Sequence, residues 1–246
     1  MKKLLFVLIL IPAISSAQFK DLIKKGTKAV TTVTKTTTKT ITSSGLDISA
    51  GLKEALNKGI EIQVAKLTAM DGFYKNEAVK ILMPEELQRV DATLRKLGMS
   101  KLADDGIKSL NRAAEDAVKE ATPIFVNAVK NISIANAKDI LLGSDNSATV
   151  YLQSNTNDAL YAKFNPVVKA SIGKVGADAI WATIIKKYNS LPLVSKVNPD
   201  INDYVTNKAL EGVFKMIAVE EKSIRSNLSS RTSDLLKKVF ALQDKK

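Results

Sequence analysis

The sequence predicts an all-α fold, on three observations. Apolar residues recur at spacings of three and four along most of the chain, the period that gathers side chains on one helix face. Pro, Gly, Ser and Asp punctuate these stretches where helices start and stop. β-Branched residues are plentiful, but outside the N-terminal region they follow the same helical spacings, so no stretch reads as a strand. Short connections between amphipathic segments then imply a single multi-helix bundle of about eight to ten helices without significant β-sheet.

The first element is a targeting segment over residues 1–17. Lys2 and Lys3 form a positive start, Leu4 to Ile11 is unbroken apolar sequence, and Pro12 is followed by the small residues Ser15, Ser16 and Ala17. That order is a cleavable secretory signal, and the apolar run is too short to span a bilayer. The mature chain is expected to start at Gln18 and to be periplasmic or secreted. It is not expected to be a lipoprotein, because no Cys follows the cleavage site.

Residues 18–45 form a basic, Thr-rich tail. Lys20, Lys24, Lys25, Lys28, Lys35 and Lys39 stand against Asp21 alone, and Thr31 to Thr42 is low in complexity and poor in helix formers. The segment reads as a solvated linker; the alternative is peripheral contact with an anionic membrane surface.

The helical domain spans 46–240, followed by a C-terminal tail over 241–246. In the first helix, Leu46 to Ala69, Leu52, Leu56, Ile60 and Leu67 share a face, and Asp71-Gly72 ends it with the glycine in the left-handed conformation. Phe73 to Met83 connects it to a helix opened by Pro84 and stopped by Gly98. A long helix follows from Ser100, its Ala-rich middle suited to close helix approach. Projection places Arg112, Glu115 and Asp116 off its apolar arc, on a solvated face beside Asn111. Thr122-Pro123 starts the next helix, and Ser133 begins a short one ending at Leu142-Gly143. Ala148 to Phe164 is helical until Asn165-Pro166 kinks or breaks it, and Ala177 to Tyr188 is helical again.

The strongest helix signal is Asp200 to Arg225, with Asp200 as cap and Leu210, Val213, Phe214, Ile217 and Ile224 on one face. Glu221 projects inside that apolar arc. An unpaired carboxylate there would be costly, so a buried ion pair is expected, with Arg225 one turn on or Arg231 past the helix end. Its role is read as pinning the terminal helix against the long one; the alternative is an acid of raised pKa facing a cleft. A last helix, Asp234 to Phe240, closes the chain.

Composition narrows the chemistry. Of 246 residues none is Cys or His, and the formal net charge is +12. A structural zinc site and a Ser-His-Asp triad are thereby excluded, and export brings no disulfides. No nucleotide, metal or cofactor motif is present. The loop Gly143 to Ser147 lacks the lysine and spacing of a phosphate loop.

Several stretches together resemble one family: Gly51 to Glu61, Asp71 to Leu87, Leu110 to Val118, Asp203 to Arg225 and Arg231 to Phe240. They are similar to the exported bacterial proteins grouped as domain-of-unknown-function family 4197. The resemblance covers residues 45–240. It implies a helical exported protein, with no catalytic residues to carry over.

The function expected is a non-enzymatic binding or interaction module of the cell envelope. The alternative is a carrier of an apolar small molecule or lipid in an inter-helix pocket lined by Trp181, Tyr188, Phe214 and Met216. A third reading is an enzyme using the carboxylates Glu220, Glu221 and Asp203. Nucleic acid is not an expected partner: the protein is exported, and its basic residues are not interleaved with aromatics.

Overall fold

A computed structural model describes residues 43–244 apart from 97, 99, 175–185, 187, 188, 191–195 and 197–199. The targeting segment, nearly all of the basic tail, and the helix expected over 177–188 lie outside these residues. All the elements below belong to one compact unit, Ser43–Lys246.

Eight helices are numbered here in chain order: α1 Ser43–Thr68, α2 Gln88–Lys96, α3 Ser100–Val118, α4 Ala121–Lys130, α5 Ile134–Leu141, α6 Ser147–Gly173, α7 Ile201–Ser226 and α8 Asp234–Phe240. Short 3-10 turns at Glu85–Leu87 and Leu228–Ser230 precede α2 and α8. Among the described residues there is no strand. Helices α3, α6 and α7 pack on one another, while α1 lies against α4, α5, α7 and α8. One continuous apolar core results. At its centre Phe125 of α4 and Phe214 of α7 meet edge to face, with centroids 5.8 Å apart.

Caps follow the local sequence. Ser133 accepts from the Asn136 amide, Asp200 from the Asn202 and Asp203 amides, and Ser233 from the Leu236 amide. Gly98 takes a positive φ of 77°, as a helix-stopping glycine should. The end of α1 differs from expectation. Asp71, not Gly72, adopts the left-handed conformation (φ 68°), held by Lys75 and Arg112. Gly72 is required for another reason: a Cβ there would collide with the Lys66 and Leu67 carbonyls.

Two further expectations are corrected. Pro166 neither breaks nor ends its helix, because α6 runs through it to Gly173. Phe164, Val168 and Ile172 are fully buried on both sides of the proline, so packing along a common face outweighs its missing hydrogen bond. In α3, Glu115 is buried rather than solvated. It accepts from the Phe73 amide (3.1 Å) and the Tyr74 amide (3.4 Å), and pairs with Arg112. The helix has apolar neighbours on one side and the backbone of residues 73–81 on the other, so its buried arc is wider than its apolar arc.

Candidate functional site

One polar constellation and one groove stand out, both involving α7. The first is centred on Glu221. Its buried carboxylate accepts five hydrogen bonds, from the Ala148 amide (2.9 Å), the Thr149 amide (2.8 Å), the Thr149 hydroxyl (2.7 Å), and Nε and Nη2 of Arg225 (2.9 and 2.8 Å). Asn146, the residue at the N-cap of α6, makes no side-chain cap bond. Glu221 therefore caps α6 from another helix, placing negative charge at the positive end of its dipole.

Arg225 does the converse. Beyond Glu221 it donates to the carbonyls of Leu141 (2.9 Å) and Ile140 (2.8 Å), at the C-terminus of α5. One ion pair on α7 thus ties the end of α5 to the start of α6 with complementary charge at each. Arg231 does not join this pair. It donates to the Ile224 and Arg225 carbonyls at the end of α7, and its other partner is Asp244. That bond holds the Asp244 carboxyl below the usual carboxylate range. Residues 243 and 244 are consequently engaged with the domain: Gln243 also accepts from Arg225.

The other carboxylates singled out by sequence are dispersed. Glu220 accepts from Gln63 of α1 (2.7 Å). Asp203 accepts from the Tyr161 hydroxyl (2.6 Å), which pushes that phenol up to about 12. Glu220 and Glu221 border one small void beside α1, and Asp203 is not part of it. Among the described residues no cluster of acids could hold a metal ion.

Of the residues proposed to line an apolar pocket, Trp181 and Tyr188 lie outside the described residues. Phe214 is packed in the core against Phe125, and Met216 is half-buried beside Asn76. A small void bounded by Leu56, Gly59, Ile217, Glu220, Glu221 and Phe240 holds about 20 Å³. That is room for a single water.

The larger space is at the surface. An open groove of about 600 Å³ runs between residues 78–88 and the outer face of α7. Sequence reading passed over this stretch as a connection. Asn111 of α3 holds it: its carbonyl accepts from the Ile81 amide and its amide donates to the Ile81 carbonyl, each at 2.8 Å. Glu115 holds the turn before it. At the ends of the groove, Lys215 donates to the Ala78 carbonyl (2.7 Å) and the Tyr204 hydroxyl to the Leu82 carbonyl (3.1 Å). Between these ends the groove is lined by Val79, Lys80, Leu82, Met83 and, from α7, Lys208, Glu211 and Gly212. Leu82 stands 53% exposed in it. Gly212 has no room for a side chain, because Phe73 and Val79 press against it. The only foretaste in the sequence was the apolar triplet Ile81 to Met83 within a supposed loop.

No helix among the described residues is long and apolar enough to cross a membrane. A family model described as a protein of unknown function (DUF4197) matches residues 42–241, so the chain belongs to that family. No curated protein and no solved structure matches it.

Proposed function

We propose that this DUF4197 protein is a non-enzymatic binding module of the bacterial cell envelope, and that its ligand surface is the groove between residues 78–88 and α7. The observation that carries this reading is the contrast between a filled core and an open groove of about 600 Å³, a size typical of binding clefts. The groove walls are fixed by Asn111, Glu115, Lys215 and Tyr204, so the surface is formed before anything binds. Its lining mixes exposed apolar groups with three lysines and the carboxylates Glu85 and Glu211. The carboxylates considered for catalysis serve as helix caps and tethers. Export of the chain rests on the sequence of residues 1–17.

Native mass spectrometry of protein taken from its own envelope tests this reading. The expected result is the mature chain together with a bound polypeptide that is lost in Leu82→Asp, a change at an exposed site. A bare chain, or a partner indifferent to Leu82→Asp, overturns it. A co-purified acyl species would instead favour the carrier.

A further inference from the structure

We infer that the occupant of this groove is an extended, acidic polypeptide segment that aligns as a strand along Lys80 to Leu82. This rests on the groove reading above and names the class of partner.

The backbone argument comes first. In extended chain, successive residues direct their N–H and C=O groups to opposite edges. Ile81 turns both of its groups to Asn111, whose primary amide occupies that edge as a neighbouring strand would. With the chain extended here, the Lys80 carbonyl and the Leu82 amide are directed to the edge opposite Asn111, the side on which the Leu82 carbonyl meets Tyr204 of α7. There the Leu82 carbonyl receives only the Tyr204 hydroxyl, and the Ala78 carbonyl is taken by Lys215. Between those two contacts, neither the Lys80 carbonyl nor the Leu82 amide is hydrogen-bonded among the described residues. A short strand edge left open beside a groove is the arrangement into which an extended peptide adds itself. Pro84, which lacks an N–H, limits the pairing to a few residues.

The charge argument selects the partner. Lys208 is neutralised by Glu211 (2.6 Å). Lys80 and Lys215 have no carboxylate partner among the described residues: the Lys80 ammonium sits 5.1 Å from the centre of the Tyr74 ring, and Lys215 donates to a carbonyl. The lining also carries Glu85, so three lysines stand against two carboxylates, and an acidic side chain entering beside Lys80 and Lys215 displaces no existing ion pair. Exposed Leu82 offers apolar contact to the side chains between.

The test selects a random short-peptide library on the immobilised mature chain, then measures synthetic winners by fluorescence anisotropy. Enriched peptides should be rich in Asp or Glu with Val, Ile or Thr and free of central Pro. Their affinity should fall about tenfold in Lys80→Gln/Lys215→Gln, and as much when a central peptide amide is N-methylated. Leu82→Pro, which removes the amide from the protein side, should match the N-methyl effect with its melting temperature as control. Enrichment of neutral or basic peptides, binding insensitive to N-methylation, or no enrichment overturns the inference. So does binding of phosphatidylglycerol vesicles through the same lysines with no peptide selected. A polypeptide that leaves with Leu82→Asp in native mass spectrometry, yet shows neither acid nor strand preference, overturns this inference and leaves the groove reading standing.

Discussion

Replacing Glu221 by alanine should destabilise the domain by about 3–5 kcal/mol. The figure comes from what the carboxylate leaves behind. Arg225, with its side chain 1% exposed, would keep its charge in a dry site after losing its ion-pair partner. The Ala148 and Thr149 amides at the head of α6 would lose their cap at the same time, worth about 1 kcal/mol for an ordinary N-cap. Glutamine is not a mild replacement, because four of the five hydrogen bonds come from N–H groups and only the Thr149 hydroxyl could also accept. Its one oxygen can serve either the helix end or the guanidinium, and its amide hydrogens then face a donor. Glu221→Gln should therefore still cost about 2–4 kcal/mol. Urea unfolding followed by circular dichroism gives these values as shifts of midpoint at constant slope. A double-mutant cycle with Arg225→Met should show coupling above about 1 kcal/mol, as expected for residues in one network. Wild-type stability of Glu221→Ala, or strict additivity in the cycle, would refute the account of the ion pair as a clamp between α5 and α6.

Asn111→Ala should cost about 2–3 kcal/mol, because it strands both backbone groups of buried Ile81; hydrogen exchange should show the Ile81 amide losing protection, and an unaltered rate would count against the anchor. In a spectrophotometric titration one tyrosine should ionise near pH 12 and return toward 10.0 in Asp203→Asn. Because the folded value is raised, that hydrogen bond's contribution to stability is complete below the unfolded value and is lost as pH climbs through the folded one; a late tyrosine that persists in Asp203→Asn would refute the assignment. N-terminal sequencing of envelope material should start at Gln18, and intact Met1 protein in the cytosol would refute export.

The helical class was legible because burial imposes its period directly on the apolar residues. The α1 face of Leu52, Leu56, Ile60 and Leu67 is a case in point. The charge at Glu221 was legible for the same reason, since a carboxylate inside an apolar arc demands a partner. Which partners it would find was not. Arg225 could be named from its spacing, but the α6 amides belong to the backbone and carry no side-chain signature. Glu115 escaped notice for a related reason. Projection compares a side chain with its helical neighbours, and the groups that bury Glu115 lie 41 and 42 residues away in a turn. The proline in α6 misled because local propensity was weighed without the core contacts on each side of it. The groove was invisible because its walls are a loop backbone and the outer face of a helix, neither of which reveals the other.

The contact between the first and last helices also governs when this chain can fold. Val239 of α8 packs so closely on Gly51 of α1 that the glycine could not carry a Cβ without displacing it. Phe240 and the bonds from Arg231 to Asp244 complete the same end of the molecule. As the polypeptide is made, α1 emerges early with its apolar face bare; α4, α5 and α7 cover part of it as they appear, and the α8 residues that complete the cover are among the last. Loop closure across nearly the whole domain must then precede this last gain in stability, a non-local contact of the kind that slows folding. Until that closure, the uncovered part of α1 exposes apolar surface that is open to aggregation.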